Sequence, residues 1–180
     1  DPDEIIEAVI DTRDYETHKY LVMFTKQGQV KKSKFSAYDS RNQVLVAIKL
    51  QEGDEVVDVR ATNGDSDLMM FTRDGQGIRF DESDARPLGR ASQGVRGIRL
   101  REGDEVVAGT MADEGGDVLL LTEGGYGKRT KMELFPRQRR GGLGVKAMKL
   151  TRVRGSLVAA LAVSADDEVF VISSDGIVIR

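Results

Sequence analysis

No cysteine and no tryptophan occur in the 180 residues, and there is a single histidine. Without cysteine there can be no disulfide and no thiolate metal site. One histidine, His18, excludes a multi-histidine zinc constellation. This usage fits a cytoplasmic chain. No apolar run approaches the length of a membrane span, and the opening "DPDEIIEAVI" is acidic where a secretory signal would be cationic. Aromatics are sparse, four Tyr and six Phe, which argues against a surface built to stack on unpaired bases. The chain stops at "SSDGIVIR", inside a strand-like run, as a piece of a longer protein would.

Internal repetition is abundant. "QEGDEVV" at 51–57 returns as "REGDEVV" at 101–107, and "AIKL" (47–50) is answered by "GIRL" (97–100) and "AMKL" (147–150). A second signature recurs as "LVMFTKQGQVKK" (21–32), "LMMFTRDGQGIR" (68–79), "VLLLTEGGYGKR" (118–129) and "VFVISSDGIVIR" (169–180), with glycines at Gly28, Gly75, Gly125 and Gly176. The repeats run near 1–50, 51–100 and 101–150, with part of a fourth at 151–180. Each signature reads as a β-hairpin: an apolar run, a polar pair, a glycine free to take positive φ, and a second extended run. "EGDE" reads as a second turn. Each repeat thus supplies about four short strands and no convincing helix. The expected fold is all-β and propeller-like, with four-stranded blades and about three and a half blades present. A β-sandwich with accidental self-similarity is the alternative, and two motifs holding one period count against it.

The formal charge is only −3, yet the signs are sorted along the chain. Five lysines and no acid lie between Glu16 and Asp39, five arginines and no acid between Asp84 and Glu102, and seven cations and no acid between Glu133 and Asp166. A cation sits four residues after each signature glycine (Lys32, Arg79, Arg129, Arg180) and before each leucine of the other motif (Lys49, Arg99, Lys149). Equal phase in a repeat array means an equal place on each blade, so the cations are expected to form a belt at one rim. A cationic belt on a rigid curved scaffold suits duplex DNA, held through its phosphates with little reading of sequence.

The stretch "RQRRGGLGVKAMKL" (137–150) is the densest in cations and glycines. Its "QRRGGLG" resembles the signature box of the DNA gyrase A C-terminal domain family, Gln-(Arg/Lys)-Arg-Gly-Gly-(Arg/Lys)-Gly. The match is carried by Gln138, Arg139, Arg140, Gly141, Gly142 and Gly144, and the departure is Leu143 in place of a cation. "YLVMFTKQGQVKKSKF", "GRASQGVRGIRL" and "GGYGKRT" resemble the same family, so the likeness covers the whole chain. The resemblance implies a β-pinwheel, a propeller-like disc whose blades exchange strands, spanning 1–180 as an inner fragment. It implies a module that wraps duplex DNA on a basic rim to support negative supercoiling by a bacterial type II topoisomerase. The remainder of gyrase A and, through it, gyrase B in a heterotetramer would be the protein partners. Catalysis, ATP and magnesium would belong to other parts of that holoenzyme, leaving no catalytic residue, metal or cofactor in this piece. The residues assigned to DNA are Lys31, Lys32 and Lys34 in the first repeat, and Arg79, Arg90, Arg96 and Arg99 in the second. In the third they are Lys128, Arg129, Arg137, Gln138, Arg139, Arg140, Gly141, Gly142, Gly144, Lys146 and Lys149, and in the fourth Arg180.

Other constellations read as structural. "GGYGKR" and "RGGLGVK" do not fit a nucleotide phosphate loop, and "DEGGDVLLL" lacks the alternating oxygens of a calcium loop. Asp54 and Glu55 recur as Asp104 and Glu105, as turn residues would. His18 is expected in a solvated loop, and Tyr15, Tyr20, Tyr38 and Tyr126 as packing residues. Two other functions stand beside DNA wrapping: the topoisomerase IV counterpart, which selects DNA substrates, and a propeller that binds an acidic protein partner. A propeller hydrolase would need convergent acids and a metal or a histidine around a central channel, and the sequence shows no such set.

Overall fold

Every copy of the glycine signature folds as an antiparallel hairpin. The structure is a computed structural model that describes residues 6, 8–11, 18–42, 44–112 and 116–180. Tyr15 and parts of the acidic clusters at 1–7 and 113–117 lie outside the described residues. Strand β1 (Tyr20–Thr25) pairs with β2 (Gln29–Lys34). Strand β3 (Val56–Thr62) precedes the hairpin of β4 (Asp67–Thr72) and β5 (Gln76–Asp81), and β6 (Val95–Arg96) follows it. The order repeats with β7 (Val106–Met111), β8 (Asp117–Thr122), β9 (Gly127–Lys131) and β10 (Val145–Lys146). It continues with β11 (Leu157–Val163), β12 (Val171–Ile172) and β13 (Val178–Ile179).

A repeat and a sheet are not the same unit. The first sheet has the order β3-β1-β2-β6, so residues 51–100 flank the hairpin of the preceding repeat on both sides. The second has the order β10-β5-β4-β7, the third β11-β8-β9, and the last is the pair β12-β13. This is strand exchange between blades, as expected for a β-pinwheel. Strands β3, β7 and β11 pack side by side along one edge of the array, which leaves β6 and β10 on the opposite, outer edge of their sheets.

The cores lie between sheets, which explains the strand composition. In β4, Leu68 and Met70 enter a cluster with Val22, Phe24 and Val30 of the first sheet, while Met69 and Phe71 enter a cluster with Val118, Leu120 and Phe135 of the third. A strand covered on both faces reads as a continuous apolar run rather than an alternating one. Phe71 and Phe135 meet edge to face at 5.6 Å. After the second strand of the first three hairpins the chain makes a short 3-10 turn, at Phe35–Tyr38, Glu82–Asp84 and Met132–Leu134. Sequence reasoning gives no sign of these turns, because nothing in "FSAY", "ESD" and "MEL" repeats.

The signature glycines have two jobs. Gly28 and Gly75 have φ of 85° and 79°, and their carbonyls hold the outer strand. Gly28 accepts from Gly97 and Ile98 at 2.9 and 3.2 Å, and Gly75 from Ala147 and Met148 at 2.9 and 3.3 Å. A Cβ on Gly75 would lie 2.7 Å from the Met148 carbonyl oxygen. The "EGDE" turn docks on the same loop: Asp54 accepts from the Gln27 amide at 2.8 Å, and Asp104 from the Asp74 amide at 3.0 Å. Asp54 and Asp104 are therefore turn caps, as their recurrence indicates.

Candidate nucleic-acid interface

Successive connectors on the outer edge bind one another. The Gly141 amide donates to the Gly97 carbonyl at 2.5 Å, and the Arg99 amide donates to Gly142 at 2.8 Å. One repeat earlier the Lys49 amide donates to Ser92 at 3.0 Å. Side chains add to the link. Arg140 donates to the Arg96 carbonyl at 3.0 Å and to the Asp84 carbonyl at 2.8 Å, and Arg90 donates to Val46 at 3.1 Å. Residues 46–49, 90–99 and 140–149 thus form a continuous rail that crosses from sheet to sheet.

Several of the expected DNA contacts stand on this rail with their charges unpaired. Arg96, Arg99, Arg139, Lys146 and Lys149 are exposed, as is Lys34 beside the first sheet. None makes a side-chain hydrogen bond or ion pair among the described residues. Sequence reasoning missed Arg86, Arg101 and Arg152, which are exposed and unpaired in the same way. Their signal was the acid-free intervals in which they lie.

Other expected contacts face inward. Lys31 is 1% exposed, and its ammonium donates to the carbonyls of Ala47 (2.5 Å) and Arg90. Burial, and secondarily the Arg90 charge, lowers its pKa to about 8. Lys32 is 4% exposed; it donates to the Glu82 carbonyl at 2.9 Å and lies 3.4 Å from the Glu82 carboxylate. Arg79 holds the equivalent place in the next sheet, donating to the Met132 carbonyl at 3.0 Å and to Asp67 at 2.7 Å. Arg129 is exposed but pairs with Asp117 at 2.9 Å, and Arg180 with Glu168. The cation after each signature glycine is therefore, where a next sheet covers it, an interblade staple. The phase recurs because the packing recurs, and Lys31, Lys32 and Arg79 are turned into that packing rather than toward a surface polyanion.

The stretch 137–144 divides likewise. Arg137 chelates the buried Asp67 at 2.6 and 3.1 Å and reaches Asp81 at 3.2 Å. Hydrogen bonding to Asp67, together with that carboxylate's charge, raises the Arg137 pKa. The Asp81 pKa is lowered, chiefly by hydrogen bonds from Ser83. The Gln138 amide donates to Arg79 at 2.8 Å. Gly141 and Gly142 spend their backbone groups on the rail, so close approach to a phosphate is not what demands glycine there. Gly144, at φ 71°, sits against the Gly77 carbonyl, where a side chain has no room. Of the two box arginines, Arg139 is the one whose guanidinium has no partner among the described residues, and Leu143 is 45% exposed.

His18 is not a solvated loop residue. It is half-buried, its ring lies 6.3 Å from that of Phe35, and its buried Nδ1 has no hydrogen-bond partner. Tyr20 packs under the Lys32 ammonium at 5.0 Å and Tyr38 is half-buried near Ala47. Tyr126, by contrast, is 44% exposed. Among the described residues no cluster of three or more His, Asp or Glu could hold a metal ion, and no helix is long and apolar enough to cross a membrane.

Comparison with known proteins gives a consistent picture. A family model described as DNA gyrase C-terminal domain, beta-propeller, matches residues 19–63, 66–110, 116–164 and 167–180. DNA gyrase A of Clostridium acetobutylicum is 51% identical over 181 residues, covering 100% of this chain, and that of Mycobacterium leprae 44% identical over 182 residues, covering 99%. The chain spans 22% and 14% of the length of those two relatives. A solved DNA gyrase A C-terminal domain superposes with a TM-score of 0.84 at 30% identity, over 93% of this chain and 57% of that one. The C-terminal domain of a DNA topoisomerase IV superposes at 0.86 with 27% identity, over 93% of this chain and 53% of that one.

Proposed function

The chain belongs to the DNA gyrase C-terminal domain family, and on that premise we propose that its outer rail binds and bends duplex DNA. It would do so as the wrapping module of a gyrase A protein. The observation that carries the reading is the rail itself: hydrogen-bonded connectors that cross between sheets, bearing Arg96, Arg99, Arg139, Lys146 and Lys149 without carboxylate partners. Duplex DNA presents one charge per ~1.7 Å of axis. Bending it over a few tens of base pairs costs on the order of several kcal/mol, which several simultaneous phosphate contacts on a rigid support would offset. The rail carries nothing shaped to read base edges, so sequence preference should be weak.

The parent enzyme would be an ATP-dependent bacterial type II topoisomerase acting in the cytoplasm, with the rest of gyrase A and gyrase B as partners. ATP and magnesium would serve residues outside this chain. The glycine-rich connector at 138–144 favours gyrase over the topoisomerase IV counterpart, and the unpaired rail cations favour DNA over an acidic protein.

The test is equilibrium binding to a duplex of roughly 40 base pairs across a salt series. Affinity should fall steeply, with a log–log slope of about −0.9 per phosphate contacted, and unrelated sequences should bind alike. A salt-independent affinity would overturn the proposal.

A further inference from the structure

The turn after the third connector breaks the pattern of the two before it. Residues 51–55 and 101–105 read "QEGDE" and "REGDE", whereas the corresponding stretch at 151–156 reads "TRVRGS". In the acidic turns Asp54 and Asp104 cap the hairpin loops, and Glu105 pairs with Arg73 at 3.3 Å. In the basic turn no aspartate caps the loop. The Gly124 amide donates instead to the Arg154 carbonyl at 2.9 Å, and Glu123 accepts from the Ser156 amide at 2.9 Å. The loop also carries Tyr126 where the first two hairpins carry Gln29 and Gln76.

Beside this turn lies a cleft of about 280 Å³ lined by Tyr126, Gly127, Lys128, Met148, Lys149 and Arg154, with no carboxylate in its wall. Two of its cations are fixed but not neutralised. Lys128 Nζ donates to the Ala147 carbonyl at 3.0 Å, and Arg154 Nη1 to the Lys149 carbonyl at 2.8 Å. The Arg154 guanidinium also lies 5.7 Å from the Tyr126 ring centre. A guanidinium has five N–H donors and an ammonium three, so most of their donors remain open, and Lys149 adds an unpaired head. Charged donors held in place by neutral carbonyls and an aromatic face lose little side-chain freedom when an anion arrives.

We propose that this cleft is a phosphate site, which takes a backbone phosphodiester of DNA between Arg154, Lys128 and Lys149. It rests on the DNA-binding reading of the rail, which it extends: DNA leaving the rail at Lys149 would cross the turn of the third sheet. The two acidic turns would repel it at the same phase.

Two measurements on the 180-residue chain test this. In amide NMR, inorganic phosphate should shift Gly127, Lys128 and Arg154, and Arg154→Gln should abolish the shifts. In duplex binding, Arg154→Gln should lower the salt slope by about 0.9, at an unchanged urea midpoint; Lys149→Gln should do the same. Absence of phosphate shifts in the cleft would overturn the site. Phosphate shifts without any change of slope in either variant would overturn DNA as the source of the phosphate. Tighter binding of polyglutamate than of duplex at these residues would also overturn it, in favour of an acidic protein. A flat salt response of the unaltered chain defeats the rail reading instead, and the phosphate titration would still report on the cleft.

Discussion

At the residue scale, the same lysine and arginine chemistry serves opposite ends, and burial decides which. Lys32 and Glu82 are both buried, and Glu82 also accepts from Thr62 at 2.7 Å and from the Ser66 amide at 3.3 Å. Removing one partner leaves an uncompensated charge, whereas removing both removes the charges but takes an acceptor from Thr62 and the Ser66 amide. Lys32→Met should therefore destabilise the chain by about 3 kcal/mol, with Lys32→Met/Glu82→Leu recovering only part of the loss because Thr62 and Ser66 lose their acceptor; urea denaturation of the three proteins checks this. Lys31 makes a second, pH-dependent case. Its folded pKa of about 8 lies below the ordinary lysine value of 10.5, so the unfolded chain binds its proton more tightly. Stability linked to Lys31 should thus rise as pH increases through 8 toward 10. Tyr38, whose pKa is raised chiefly by burial, opposes this only above its ordinary range. The stability of the parent relative to Lys31→Met should increase between pH 7.5 and 9.5 (a window of about two units around that value); a constant difference would show that Lys31 keeps its proton.

At the element scale, the connector decides both packing and binding, because the hairpin glycines hold it by their carbonyls. In Gly75→Ala the new residue keeps a positive φ and presses its Cβ against Met148. The expected cost is about 2 kcal/mol, with weaker duplex binding because the rail is displaced. Arg137, just before the box, and Arg139 within it separate by the same logic. Arg139→Gln should leave the urea midpoint unchanged and reduce DNA affinity. Arg137→Gln should destabilise the fold, since it strips the buried Asp67 of its bidentate partner. If the two variants behaved alike in both assays, the assignment of one to DNA and the other to packing would be wrong. The hairpins and turn caps were legible in the sequence because each rests on local chemistry that recurs: a glycine, a polar pair, an aspartate. The strand exchange was legible only through family resemblance, since β6 pairs with β2 across more than sixty residues and no local pattern encodes that partner.

At the scale of the whole molecule, a fifty-residue period specifies equal places on successive sheets but not which way a side chain points. Phase points to Arg99 and Lys149, and both are exposed. The same phase also selects Lys32 and Arg79, which turn inward, because a recurrent cation facing the next sheet signals a recurrent interblade contact. What no period could show is that the connectors hydrogen-bond into one rail, and this makes a quantitative demand. Arg96 and Lys146 occupy β6 and β10, equivalent places on two sheets, and both are exposed with no side-chain partner among the described residues. On a rigid rail followed by one continuous duplex, each meets its own phosphate, so Arg96→Gln and Lys146→Gln should each reduce the salt slope by about 0.9 and the double variant by about 1.8. The free-energy effects should add, because distant sites without shared partners are independent. If either single variant gave the whole loss and the second substitution added nothing, DNA would touch only one connector, and the rail would be packing rather than a path.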